Sequence, residues 1–313
     1  MKTIRIAVIG AGHMGRYHAG KFAACEGAEL AALVDRDLER AGALARELGC
    51  AAQADYRQVI GRIDAAVIAT PTAQHHEIAL ACLEAGVHVL IEKPVTRTVA
   101  EADALVALAG KRGLVLQVGH VERHNIAYRA LAARMDRPLF IDAERLSGFK
   151  QRGTDVDAVL DLMIHDIDLA LWLARSEVVA VSASGFRVLT QDIDIANARI
   201  EFANGCVANL SASRVSQSPV RKLRVFQPGL YVSADLRAGR LRYVRQADGA
   251  IHETEEVHEP GDALAAQARC FIAAVGALAP VQVSGEDGRQ ALALALQVGE
   301  LVDKRLRQHA EAT

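Results

Sequence analysis

Three groups of residues have types and spacings that could carry chemistry. The first is Gly10-Ala11-Gly12-His13-Met14-Gly15, a G-x-G-x-x-G that follows a β-branched run and opens a helical stretch. Glycines there permit a tight turn and close backbone approach, and a helix N-terminus presents unpaired N–H groups and a positive dipole end to a pyrophosphate. Asp35 stands 20 residues after Gly15, at the end of the next β-branched run. A carboxylate at that point accepts hydrogen bonds from the adenosine ribose hydroxyls, although a solvated strand end would look the same. The pair points to NAD. The 2′-phosphate of NADP would face a like charge, while Arg36 could cradle it, so NADP stays open.

The second group is Glu92-Lys93-Pro94 at the carboxyl end of a strand-like run, the edge of an open α/β sheet where ligands bind. Lys93 would lie over such a cleft, with Pro94 stiffening the chain beside it; the alternative is a surface cation. The third is Asp157, Asp161, His165 and Asp168, spaced by four, four and three, a polar stripe on a helix that carries Val159, Leu160, Met163, Ile164, Ile167 and Leu171 on its other side. A carboxylate one turn before a histidine orients the ring and stabilises its charged form, preparing His165 to take a proton near neutral pH. An exposed helix face or a capped core histidine are the alternatives. No second His or Cys cluster completes a metal shell, so no metal is expected.

The elements that must position these groups fall into two patterns. In the first third, strand-like runs at residues 4–10, 29–35, 65–70, 88–93 and 114–119 alternate with Ala-rich amphipathic stretches at 13–26, 37–48, 56–61, 75–85 and 99–112. That alternation predicts an α/β, doubly wound parallel sheet of the Rossmann type. After about residue 120 the pattern changes: helix at 123–135, strand at 139–146, helix at 157–174, then alternating strands over 178–245 with a hairpin at Asn204-Gly205, and helices at 264–277 and 290–307. The expected organisation is a dinucleotide-binding domain over 1–119 and a substrate-binding and oligomerisation domain over 120–313, an α/β unit with an open, largely antiparallel sheet. The C-terminal helix could pack back on the first domain.

Composition narrows the partners. The 313 residues are 51% hydrophobic, enough for two cores, and 36 Lys and Arg nearly balance 38 Asp and Glu. No basic field is present to hold nucleic acid or an anionic membrane, and 4% aromatic content removes the stacking platforms of single-strand binders. No apolar run reaches the roughly 18 residues of a membrane span. Five scattered cysteines in no C-x-x-C arrangement signal neither a disulfide framework nor zinc, and with no export leader in the first residues a cytoplasmic location is expected.

Taken together, "AVIGAGHMG", "ATPTAQHHEIALACLEAGVHVLIEKP", "VGHVERHN" and "DLMIHDID" resemble the Gfo/Idh/MocA family of NAD(P)-dependent sugar and polyol oxidoreductases, and the likeness continues into "VSGEDGRQALALALQV". The resemblance implies that Lys93 hydrogen-bonds the reacting oxygen and that Asp161 and His165 form the Asp-x-x-x-His pair, with His165 the general base. The candidate catalytic set is therefore Lys93, Asp161 and His165. The cofactor set is Gly10, Gly12, His13, Met14, Gly15, Asp35, Arg36, Thr70, Pro71, His75, Glu92 and Lys93. One departure is Met163, where the family often has glycine. The "GHVERHN" and "DLMIHDID" variants are most similar to a branch that oxidises C3 of UDP-N-acetylglucosamine to a 3-keto sugar for lipid A or surface-polysaccharide synthesis. A nucleotide-sugar diphosphate could be met by Arg123, Arg145, Lys150 and Arg152, or these are ordinary surface charges; Asn125 joins them, with Lys93, Asp161 and His165, as a substrate candidate. Free sugars or inositol-type polyols, a biliverdin- or imine-type reduction, and a non-catalytic NAD-binding module remain the alternatives. The exposed sheet face implies a homodimer or homotetramer.

Overall fold

Short β-branched runs that lack polar alternation become the inner strands of a parallel sheet, because both faces must be covered. The computed structural model describes residues 3–149, 156–259 and 261–311. In chain order the first elements are β1 (Ile4–Ile9), α1 (His13–Ala23), β2 (Ala28–Val34), α2 (Leu38–Leu48), β3 (Ala51–Gln53), β4 (Ala65–Ile68), α3 (His75–Glu84), β5 (His88–Ile91), α4 (Val99–Arg112) and β6 (Leu116–Val118). They form a parallel six-stranded sheet in the order β3-β2-β1-β4-β5-β6. Ile6, Val8, Val67 and Leu90 are fully buried in its centre. Strand β3 is too short to have shown a period, and residues 56–61, expected to be helical, are two 3-10 turns, the first capped by Asp55, which accepts from Arg57 N. Helix α4 starts at a capping box: Thr98 accepts from Glu101 N while Glu101 accepts from Thr98 N, fixing the chain soon after Lys93.

The chain continues through α5 (Ile126–Ala132), β7 (Phe140–Leu146), a π-turn at Val159–Met163 and α6 (Ile164–Ala174). Next come β8 (Val178–Phe186), β9 (Ile195–Phe202), β10 (Val207–Ser213), β11 (Val220–Gln227), β12 (Leu230–Asp235), β13 (Arg240–Ala247) and β14 (Ala250–Val257), and the chain ends in α7 (Ala263–Val275) and α8 (Gly285–Glu311). The second sheet has the order β14-β13-β12-β11-β7-β10-β9-β8 and is antiparallel except where β10 runs parallel to β7. Residues in β9 alternate strictly between exposed and buried, so one face meets a core that includes Tyr128, Ile141, Ile164, Leu210 and Val298. The hairpin turn falls at Asn204-Gly205, where Gly205 has φ +84°.

Two compact units result: residues 1–124 with 262–290, and residues 125–261 with 291–313. The expected boundary near residue 119 therefore describes only the first crossing. Residues 262–290 return to the parallel-sheet unit, where α7 packs on α1 with Phe271 edge-on to Phe22, ring centroids 6.1 Å apart.

Candidate active site

In the first unit the carboxyl ends of β1, β2 and β4 open on a crevice of about 600 Å³ lined by Gly10, Gly12, Asp35, Arg36, Thr70 and Pro71 among others. Gly10 has φ +100°, and a Cβ on Gly15 would stand 1.7 Å from the Gly10 carbonyl oxygen, so the turn requires both glycines. A Cβ on Gly12 would meet nothing within 4 Å, which leaves room for a phosphate beside the start of α1. Asp35 is anchored: Oδ2 accepts from Ala11 N at 2.7 Å, and Oδ1 accepts from Asp37 N at 2.9 Å and from Arg40 at 3.3 Å. It ties the glycine turn to the end of β2 rather than standing in solvent. Thr70 Oγ1 is buried, with no hydrogen-bond partner among the described residues. These residues fit NAD: the glycine turn for the pyrophosphate, Asp35 for the ribose hydroxyls, and Thr70 further along.

The crevice also shows residues that sequence spacing missed. Arg40, Tyr56, Arg57 and Gln74 line it, and the Arg57 guanidinium lies 4.6 Å from the Tyr56 ring centroid. Arg40 could have been read as a partner for Asp35 one turn into α2; the other three lie in turns with no period. His13 and Met14 fall in the first turn of α1, His13 exposed and edge-on to Tyr17 at 5.0 Å.

At the end of β5, Lys93 is partly buried and joined to Pro94 by a cis peptide bond. Glu92 beside it is buried and accepts a 2.6 Å hydrogen bond from His18 Nε2 on α1. Burial pushes the Glu92 carboxyl up, but the His18 hydrogen bond and charge, aided by Lys93 and His75, hold it below the usual carboxylate range. Glu92 is thus an ionised buried group, and His18 is a partner that the sequence reading did not find. His75, expected to touch the cofactor, is instead almost wholly buried, with Nδ1 2.9 Å from Pro94 O and Nε2 2.9 Å from Thr70 O.

In the second unit the expected α-helix over 157–174 is in part a π-turn. Val159–Met163 winds wider before α6 begins, so Asp161 and His165 stand across a π-to-α junction rather than on a uniform helix. Both are partly buried. The polar stripe is not an exposed face: Asp168 is buried, and Asp157 Oδ1 caps the turn by accepting from Val159 N and Leu160 N, each at 2.9 Å. Met163 is fully buried in the core.

Three substrate candidates have other partners. Arg145 is buried and forms a two-point pair with Asp166, Nε to Oδ2 and Nη2 to Oδ1, both 2.9 Å; it braces α6 next to His165 and is not available as a free diphosphate ligand. Asn125 caps α5, accepting from Ala127 N and Tyr128 N and donating to Leu236 O. Arg123 is buried, with Asp287 3.5 Å away. Lys150 and Arg152 lie outside the described residues. Among the described residues no group of three or more His, Cys, Asp or Glu is placed to hold a metal, and no helix is long and apolar enough to cross a membrane.

Residues 4–120 match the model of the oxidoreductase family with an NAD-binding Rossmann fold, and residues 128–227 match the model of that family's C-terminal domain. The chain belongs to the Gfo/Idh/MocA family. It is 41% identical over 314 aligned residues to the UDP-N-acetylglucosamine 3-dehydrogenase of Acidithiobacillus ferrooxidans, covering 98% of this chain and 100% of that protein. A solved structure of that enzyme superposes with a TM-score of 0.92 over 97% of this chain and 99% of its own. A scyllo-inositol 2-dehydrogenase of Bacillus subtilis is 32% identical over 68% of each chain. The fold is shared with a Lactobacillus casei scyllo-inositol dehydrogenase solved with NAD(H) and scyllo-inositol, TM-score 0.83 at 20% identity over 97% of this chain and 98% of that one. As a member of the Gfo/Idh/MocA family, the protein is an oxidoreductase with an NAD-binding first unit.

Proposed function

We propose that this protein is an NAD-dependent dehydrogenase that oxidises the C3 hydroxyl of UDP-N-acetylglucosamine to the 3-keto nucleotide sugar, supplying amino-sugar synthesis for lipid A or surface polysaccharide in the cytoplasm. The full-length likeness to an enzyme of that activity carries the reading; the inositol dehydrogenases match at lower identity and over less of the chain. NAD, when bound, supplies the acceptor for the hydrogen and two electrons that leave the carbinol carbon. His165 takes the hydroxyl proton on its imidazole, and Asp161 orients that ring and stabilises its charged form. Lys93 Nζ stabilises the developing alkoxide, an interaction that strengthens as charge grows on the oxygen. With Arg145 engaged by Asp166, the cations for the substrate diphosphate are Lys150 and Arg152.

The test follows reduced nicotinamide absorbance with NAD and NADP against UDP-sugars, free hexoses and polyols. Turnover of UDP-N-acetylglucosamine with NAD is expected; turnover of free polyols alone would overturn the substrate assignment. Arg152→Ala is expected to raise KM for the UDP-sugar by about tenfold, the scale of one charged hydrogen bond, and to leave a free sugar unaffected. The open face of the second sheet carries Phe140, Phe226 and Tyr231 in ring contact, with centroids 5.8 and 4.6 Å apart, and a second copy of the chain is its occupant. Light scattering at micromolar concentration is expected to give a dimer or tetramer mass.

A further inference from the structure

Strand β7 alternates between partly exposed and buried residues, and its buried face carries Ile141, Ala143 and then Arg145. The charges on its other face, Asp142 and Glu144, meet Arg224 of β11. A guanidinium thus occupies a position where the period of the strand calls for an apolar side chain, beside a core that also holds Ile164 and Ile167 of α6. Its partner Asp166 is equally buried, and the two meet through paired 2.9 Å hydrogen bonds. Stability alone does not account for such a pair, because exchanging both buried partners for well-packed apolar side chains is often neutral or stabilising. Departures from the core pattern of this kind are what functional sites retain.

We propose that Arg145 and Asp166 are positioning residues for His165: the pair fixes the rotation of the first turn of α6, and with it the angle at which the His165 ring meets Asp161. His165 and Asp166 are the second and third residues of α6, so their side chains leave the axis about 100° apart and holding one sets the other. Just ahead, the backbone winds as a π-turn with more residues to each turn, so the relation between Asp161 and His165 depends on where the wide winding stops. The upstream end is held by Asp157, which accepts from Val159 N and Leu160 N, and by Ala158 N, which donates to Ile193 O. At the downstream end Met163 offers no capping oxygen, and the two-point fork of Arg145 supplies a fixed direction that a single contact would not. The anchor is stiff: β7 lies inside the sheet, with Arg145 in register with Arg221 of β11 on one side and Ala212 of β10 on the other. The catalytic consequence rests on the assignment of His165 as the base.

Two variants test the pair. Arg145→Met combined with Asp166→Leu removes both charges together and keeps the space filled; Arg145→Lys keeps the charge and loses the fork. The first readout needs neither substrate nor cofactor. In protein carrying 13C-labelled histidine, the His165 ring signal, identified by its loss in His165→Asn, is expected to shift in both variants. The second is kinetic: kcat for UDP-N-acetylglucosamine is expected to fall about tenfold or more with KM for NAD unchanged, since small misplacements near a reacting centre cost that much. An unmoved His165 signal in variants shown folded by circular dichroism would overturn the proposal. So would a full kcat in them while His165→Asn is slow, or a raised KM for the UDP-sugar at full kcat, which would make Arg145 a substrate ligand. If the double variant does not fold, Arg145→Lys carries both readouts. Full turnover by His165→Asn would instead sink the base assignment and leave the ring signal to decide the pair, so the two failures are distinguishable.

Discussion

Replacing Lys93 by alanine removes a cation from a partly buried position at the end of β5, where charge acts more strongly than in bulk water. The expected result is a fall in kcat of about 100- to 1000-fold, the usual cost of deleting one group that stabilises an oxyanion, with NAD affinity measured by calorimetry little changed. A variant with normal kcat would remove Lys93 from the reaction. The Arg145–Asp166 pair yields a second prediction at this scale. Asp166→Asn removes a carboxylate that meets the buried Arg145 guanidinium at two points and is expected to cost about 3 kcal/mol in urea unfolding, because breaking a buried ion pair from one side is strongly destabilising. Gly10 and Gly15 were legible in the sequence because what they do is backbone-local: a turn that excludes Cβ. The roles of Arg145, Asn125 and His75 were not. A letter in the sequence reports charge or hydrogen-bonding capacity but not burial, and each of these three is engaged by a partner from a different part of the chain.

For the elements, the glycine turn gives the sharpest expectation. Gly15→Ala places a methyl group 1.7 Å from the Gly10 carbonyl oxygen, so the turn between β1 and α1 must open. Loss of NAD binding by calorimetry and a lower melting temperature are expected together; unchanged binding would show that the turn can adapt. Parallel strands were readable because covering both faces forces continuous apolar runs, and β9 because covering one face forces alternation. β3 and β14 escaped: one has three residues, and the other is exposed along most of its length. The π-turn before α6 was also invisible, since i, i+4 spacing is the same in the letters whether the backbone winds as α or π. It nonetheless decides how Asp161 stands relative to His165.

For the molecule as a whole, one buried knot sets part of the stability. Asp194 accepts from Val188, Leu189 and Thr190 N–H groups and from Arg214 Nε at 2.7 Å, and Arg214 also donates to Val156 O, ahead of the π-turn. Burial pushes the Asp194 carboxyl up, but Arg214 and the three N–H groups hold it well below the usual range. Its contribution is therefore complete above the unfolded value, about 4, and declines as pH falls toward the lower folded value. Asp194→Asn is expected to cost about 3 kcal/mol at pH 7, with the gap to wild type narrowing as urea unfolding is repeated at pH 4 and then pH 3. A gap that stays constant would show that ionisation of Asp194 is not its source.

The parallel-sheet unit is assembled from two stretches of chain separated by more than a hundred residues of the other unit. A growing polypeptide leaving the ribosome therefore presents six strands and the Phe22 side of α1 long before Phe271 emerges to cover it. Until then that side is an open apolar surface, the kind that chaperones grip, and a transcript cut short after β14 would yield a chain with its antiparallel sheet finished and its nucleotide-binding half still bare.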